Sequence, residues 1–383
     1  MLNFTFVQSV KIITGIDSLN SIGELVEQSG YKKPLLVFGN QVNRMGIIKR
    51  ITDILDGRSI NYVKFNKVIP DPPATTIDEG GEICKKHNCD CVIGIGGGSA
   101  IDTAKGINIL RFNKGKILDY TTKTINLCTG LICIPTTSGT GSELSNGAII
   151  SDTQTNTKLP ILCFNNMCEY AILDPTLTVG MPYDLTMYTG LDVFSHCFEA
   201  YTSILSNPMT DLICEKLMET IIEYLPITLN EPSNIIAREK MQYASSIGGW
   251  MLYNACAHVG HSIAHVIGAN LHIIHGAACA YGLPSVIKLI SEVSNTKVKY
   301  VGKLLGVKFV GNETSKEVGE KTAKAYKEFT DYIKLPDIKK YDLSKQEFDK
   351  LVDMVKDEMF AGFAPIKITK ENVNIMLKEV LQL

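Results

Sequence analysis

Residues 91–105 read CVIGIGGGSAIDTAK: a short apolar run, four glycines at positions 94, 96, 97 and 98, then a helical pattern opened by Ser99. A buried strand that turns through glycines into a helix lets backbone approach a ligand closely. The free N–H groups of the helix start then attract negative charge. Ser99 suits a helix cap or a phosphate contact, and Asp102 complements the helix dipole or reaches a ligand hydroxyl. The spacing departs from the G-x-G-x-x-G dinucleotide fingerprint because Ser99 stands where the third glycine would be. A Gly-rich strand-to-helix turn that binds nothing is the plain alternative.

Around this stretch, short β-type runs alternate with amphipathic segments. KPLLVFG (33–39), INYVKF (60–65) and LICIPTT (131–137) are brief, apolar and bounded by turn residues, whereas 75–87 and 100–112 carry helical periodicity. That alternation predicts a mostly parallel sheet covered on both faces. A second polar loop, PTTSGTGSE (135–143), follows the LICIP run, so two polar loops fall at strand C-termini, where open α/β sheets bind ligands. A helix start capped at Ser142 and Glu143 is the competing reading of the second loop. After DPTLTVGMP (174–182) long helical patterns dominate, at 182–205, 209–225 and 315–333. These patterns divide the chain into an α/β domain over 1–180 and a helical domain over 181–383, with a small-molecule cleft expected between them.

Bulk composition excludes several classes of function. With 383 residues, 45% hydrophobic, 20% charged and a net charge of −2, the chain shows no basic excess for nucleic acid and no acidic tail. Its apolar runs are too interrupted for a membrane span, and the N-terminus lacks a signal-peptide pattern. Eleven cysteines in a large chain, mostly in apolar segments, read as reduced core thiols of a cytoplasmic protein.

Six of the seven histidines fall between 196 and 275: His196, His258, His261, His265, His272 and His275. Asp192 precedes His196 by one helical turn, and His261 and His265 repeat that spacing, so each pair projects from one helix face. Gly268 and Asn270 are expected to end the second helix and to return His275 to the same region. One carboxylate and three imidazoles suit iron(II) or zinc with positions left for substrate. Spacing alone does not choose between His261 and His265 as ligand, and the other of the two fits a proton carrier. His87, His258 and His272 read as core or surface residues.

GGGSAID (96–102), PTTSGTGSE (135–143), GLDVFSHCFEAY (190–201) and HSIAHVIGANLHIIHG (261–276), in this order, closely resemble the iron-containing (group III) alcohol dehydrogenases. The resemblance runs over nearly the whole chain. It implies a Rossmann-like α/β dinucleotide-binding domain, an all-α C-terminal metal-binding domain and a homodimer. Carried over by motif, the metal ligands are Asp192, His196, His261 and His275, and His265 is the non-ligating histidine beside the nicotinamide. The loop Gly96, Gly97, Gly98, Ser99 and Asp102 holds the pyrophosphate. Thr136, Thr137, Thr140 and Ser142 surround adenine, ribose and phosphate. Lys158 and Asp71 lie near the ribose, and Leu177 and Val179 line the cofactor groove. Many NAD-using relatives carry an acid after the strand at 34–39, where this chain has Gly39 and Asn40. Loss of that charge favours NADP(H) over NAD(H).

The implied reaction is reversible hydride transfer between NAD(P)(H) and a small primary alcohol or its aldehyde, with Fe2+, or Zn2+ on the same ligands, polarising the oxygen. Dehydroquinate synthase shares the layout, NAD and a metal, but it is a lyase. It needs a basic cluster for its phosphorylated sugar acid, and the motifs here supply mainly Lys158. A non-catalytic metal-binding or assembly protein on an old fold would show eroded motifs, and none is eroded. The identity of the alcohol lies beyond these motifs.

Overall fold

The computed structural model describes residues 3–123, 125, 128–155, 157–163 and 168–383. Its strands are β1 (Lys11–Thr14), β2 (Pro34–Gly39), β3 (Val63–Val68), β4 (Cys91–Gly96), β5 (Leu131–Pro135), β6 (Gly147–Asp152), β7 (Thr157–Leu162) and β8 (Tyr170–Leu173). The helices interleaved with them are α1 (Ile22–Gln28), α2 (Asn40–Arg44), α3 (Ile47–Gly57), α4 (Ala74–Lys86) and α5 (Gly98–Phe112). Six strands form one parallel sheet in the order β1-β8-β5-β4-β2-β3, while β6 and β7 make a separate antiparallel pair. The central strands β4 and β5 are buried along their whole length, as continuous apolar runs require when helices cover both faces. The edge strand β1 is mostly exposed and the edge strand β3 about half so. Apolar clusters fill both faces, one around Leu35, Val92, Ile107 and Cys133, the other around Leu36, Ile51, Ile93 and Ile134.

INYVKF starts its strand three residues later than its composition predicts, at Val63. Ser59 adopts a left-handed conformation (φ 57°), and the Ile60 amide bonds the Leu55 carbonyl, so Ile60 seals the end of α3 and packs in the core. No helix starts at Ser142; residues 142–144 form a turn that leads into β6.

The remaining helices are α6 (Tyr183–Thr202), α7 (Pro208–Asn230), α8 (Ile235–Ala255), α9 (Val259–Leu271), α10 (His275–Ser291), α11 (Asn295–Leu304), α12 (Ser315–Tyr332), α13 (Lys345–Asp357) and α14 (Lys370–Leu381). Two compact units result, and they interleave in sequence. One comprises Gln8–Met181 with Ser233–Trp250, the other Met1–Val7, Pro182–Pro232 and Met251–Leu383. Within the helical unit α6, α9 and α10 pack closely. A Cβ on Gly276 would come within 2.1 Å of the Tyr188 carbonyl oxygen, so only glycine allows α10 to approach α6 at that point. None of the eleven cysteines is in a disulfide and ten are buried, in keeping with reduced core thiols.

Candidate metal centre and nucleotide loops

Asp192, His196 and Glu199 occupy one face of α6, at successive helical turns, and all three are buried. α9 presents His261 and His265. It runs on past Gly268 and Asn270 to Leu271 and is ended by His272, which takes the left-handed C-cap conformation (φ 56°). Three residues later His275 opens α10. Sequence reasoning placed the helix break two to four residues too early because Asn270 bonds its amide to the Val266 carbonyl within the helix rather than turning the chain.

The Nε2 atoms of His196, His261 and His275 lie 3.5, 3.7 and 3.5 Å from one oxygen, Asp192 Oδ1. That oxygen is buried and has no hydrogen-bond partner. An orphaned buried carboxylate oxygen is costly unless a cation shares the site. Four donors around one tetrahedral ion with bonds of about 2.1 Å stand about 3.4 Å apart, so the spacing fits a single divalent metal. His265 stands outside this convergence: its ring stacks on His275, and its Nδ1 bonds Glu358 Oε1 at 3.0 Å.

The electrostatics prepare the same donors. Burial alone would raise the Asp192 carboxyl, but His196, His275 and His261 outweigh it and hold the group well below the usual carboxylate range. Desolvation, against the pull of Asp192, lowers His196 to about 4 and His275 to about 3, so both are neutral with lone pairs available. His261 moves the other way: burial opposes its charge, but Cys279, Glu199 and Asp192 raise it.

Three residues of the site escaped sequence reasoning. Glu199 accepts from the amides of His258, Gly260 and His261 at 2.7, 3.1 and 3.2 Å, capping the start of α9. Its other oxygen takes the Nδ1 proton of His261 at 2.7 Å, which turns Nε2 toward Asp192. Glycine at 260 leaves room for this carboxylate: a Cβ there would sit 2.6 Å from Glu199 Oε1. The signal was present in the sequence as an acid seven residues after Asp192 on the same helix face. Glu358 accepts from Ser262 Oγ, His265 Nδ1 and the Phe360 amide. Cys279, one turn beyond His275, places Sγ 3.7 Å from His275 Nε2. His258 is fully buried behind the centre, bonding Thr202 Oγ1 at 2.9 Å, and burial lowers it to about 4.

In the α/β unit the loops after β4 and β5 pack against each other. A Cβ on Gly97 would meet Thr137 Oγ1 at 3.1 Å, and one on Gly98 would meet Thr140 Cγ2 at 2.8 Å. Gly96 adopts φ +144°, a conformation reserved for glycine, and so aims the chain into α5. Ser99 occupies the first turn of α5, whose leading amides have no acceptor within the helix. Asp102 is used within the fold: one oxygen accepts from Ser142 Oγ and the other from the Ile149 amide at 3.0 Å, tying α5 to both the second loop and β6. Desolvation raises its carboxyl. Thr136 is buried at the end of β5. Lys158, on β7, pairs with Asp71 at 2.6 Å, and Asp71 itself takes a positive φ of 51°. Leu177 turns its side chain into the core, and Val179 follows it just after a short 3-10 turn. Gly39 ends β2 and caps α2, with Asn40 exposed at the first helical position.

A parallel-sheet unit with glycine-built loops and a helical unit with a carboxylate–imidazole cluster are the parts that a metal-dependent, nucleotide-linked dehydrogenase requires. Residues 9–175 match the family model described as iron-containing alcohol dehydrogenase, and residues 186–381 match the C-terminal model of the Fe-containing alcohol dehydrogenase family. The chain belongs to this family, whose members use a metal and NAD(P), and it is an oxidoreductase of alcohols and aldehydes; a lyase of the dehydroquinate synthase type is not favoured. It is 30% identical to an NADPH-dependent butanol dehydrogenase of Clostridium saccharobutylicum, covering 97% of this chain and 96% of that one. It is 32% identical to an NAD-dependent methanol dehydrogenase of Bacillus methanolicus, covering 82% and 83%. Among solved structures, the alcohol dehydrogenase from Oenococcus oeni superposes with a TM-score of 0.92 at 28% identity, covering 99% of this chain and 100% of that one. Among the described residues no helix is long and apolar enough to cross a membrane.

Proposed function

We propose that the protein interconverts small primary alcohols and their aldehydes, with Fe2+ held by Asp192, His196, His261 and His275 and with NADP(H) preferred over NAD(H). The observation that carries this reading is the convergence of three imidazole nitrogens on the buried, unpaired Asp192 Oδ1. When bound, the metal supplies Lewis-acid polarisation of the substrate oxygen, and the nicotinamide takes or gives the hydride. The chain's own residues do the rest. Glu199 fixes the tautomer of His261 so that its lone pair faces the centre. Glu358 does the same for His265, whose free Nε2 is suited to carry the alcohol proton to solvent. The glycines at 96–98 clear space for the pyrophosphate beside the first-turn amides of α5, and Thr136, Thr137, Thr140 and Ser142 line the same pocket. In this reading the nucleotide belongs to the α/β unit and the metal to the helical unit, a division near residue 180 from which only residues 1–7 and 233–250 depart.

The cofactor preference rests on Gly39 and Asn40: the first turn of α2 carries no acid, so no carboxylate there repels a 2′-phosphate. The two relatives named above use different cofactors, so they do not decide it. A reducing cytoplasm is in keeping with eleven cysteines outside any disulfide, and a homodimer is the family expectation. The test is anaerobic purification, metal analysis, and NADPH against NADH oxidation across a short aldehyde series including butyraldehyde. The reading requires near-stoichiometric iron or zinc and a higher kcat/KM with NADPH. A protein that reduced aldehydes equally well after complete removal of metal would overturn it.

A further inference from the structure

Cys279 sits one helical turn beyond His275 on α10 and is 1% exposed. Its Sγ lies 3.7 Å from His275 Nε2 and 3.9 Å from His261 Nε2. Asp192, His261, His275 and Cys279 each offer one donor atom within 4.8 Å of all the others. An independent observation points into the same space: the Asp192 oxygen, 3% exposed as a residue, has no hydrogen-bond partner.

We infer that Cys279 is a fifth protein donor to this centre, a sulfur ligand that shifts its choice of metal from iron toward zinc and cobalt. The inference rests on the metal reading above. Metal–sulfur bonds of about 2.3 Å and metal–nitrogen bonds of about 2.1 Å put neighbouring donors about 3.1 to 3.8 Å apart around a five-coordinate ion, and the observed 3.7 and 3.9 Å lie at and just beyond the upper end of that range. Two of its neighbours are the imidazole nitrogens that face Asp192. Thiolate is the softest ligand available to the site and favours zinc and cobalt(II) over iron(II) more strongly than a carboxylate or an imidazole does. On binding, the S–H bond breaks, a metal–sulfur bond forms and the proton leaves to solvent, with no change of oxidation state.

The whole protein, stripped with a chelator and reloaded with one equivalent of Co2+, provides the probe. The expected result is a thiolate-to-cobalt charge-transfer band in the near ultraviolet, lost in Cys279→Ser and kept in Cys256→Ser, which alters the one cysteine that is not fully buried. In competition between Fe2+ and Zn2+, the zinc-to-iron ratio bound should fall about tenfold in Cys279→Ser, the scale on which a changed donor alters affinity. X-ray absorption of the wild-type zinc form, which needs no variant to fold, should show a sulfur scatterer at about 2.3 Å. Cobalt bound with visible d–d bands but no sulfur band, or a sulfur band that survives Cys279→Ser, overturns the role of Cys279 and leaves the four-ligand centre standing. Failure of the wild-type protein to bind any divalent metal overturns both.

Discussion

The two candidate binding regions are built on opposite plans. In the helical unit, side chains do the work: three imidazole nitrogens from α6, α9 and α10 lie within 3.7 Å of one carboxylate oxygen, and that buried oxygen is left without a hydrogen-bond partner. In the α/β unit, the side chains of the loops largely satisfy one another, as Asp102 does with Ser142 and Lys158 with Asp71. What the loops offer a ligand is backbone and clearance, set by Gly96, Gly97 and Gly98. One region is specified by which atoms are present, the other by which are missing. Substitutions should therefore fail differently in the two places.

The largest effect belongs to Asp192. Asp192→Ala removes the oxygen on which three imidazoles converge, and those imidazoles then face one another with no anion between them. Metal content should fall to background, and kcat/KM should fall by at least about 10^3-fold, the scale of several kcal/mol of lost Lewis-acid stabilisation. Binding of NADPH to the metal-free variant, followed by fluorescence, should stay within about threefold, because nothing in the glycine loops depends on this carboxylate. Loss of nucleotide binding together with the metal would break the contrast between the regions.

The same contrast explains what could be read in advance. β4, β5 and α5 were legible because central strands are uniformly apolar and the glycine turn between strand and helix is abrupt. The metal cluster was legible because two pairs, 192/196 and 261/265, sit at helical spacing. The edge strand β1, four residues of which three are exposed, gave no apolar run to detect. The hairpin β6–β7 was missed because its exposed strand TKLPIL contains a proline and little alternation. Glu199 was overlooked although it shares the helix face of Asp192, and Cys279 although it stands one turn beyond His275; Glu358 gave no spacing signal of its own. Glu199 meets its partner His261 62 positions away and Glu358 meets His265 93 away, through contacts that only the packing of α6, α9 and the chain after α13 creates.

A second effect, on stability, comes from His258. Its ring is fully buried and lowered from 6.5 to about 4 by desolvation, with Glu199 and His261 as its charged neighbours. The folded state thus binds fewer protons than the unfolded chain between pH 6.5 and 4, so the neutral ring supports the fold fully above pH 6.5 and that support is lost as pH falls toward 4. By pH 4.5 the loss should be on the order of 2 to 3 kcal/mol. His258→Gln cannot titrate. Between pH 7 and 4.5 the metal-free variant should lose correspondingly less stability in urea than the metal-free wild type, whatever its starting value. Equal losses in the two proteins would remove His258 from the account of acid sensitivity.

The smallest effect tests the loop region on its own terms. Gly98→Ala adds one methyl group, whose carbon would lie 2.8 Å from Thr140 Cγ2 and 2.9 Å from its Oγ1. Thr140 is exposed and can turn, so the fold should tolerate the change with stability altered by less than about 1 kcal/mol. The turned threonine and the new methyl then occupy the space left for phosphate at the start of α5. KM for NADPH should rise about tenfold, equivalent to about 1.4 kcal/mol, with kcat and bound metal nearly unchanged, because the binding lost is common to ground and transition states. The paired variant Gly98→Ala/Thr140→Ser removes the clashing methyl of Thr140 and should recover part of that KM. If Gly98→Ala lowered kcat and metal content instead, clearance would not be what this loop contributes.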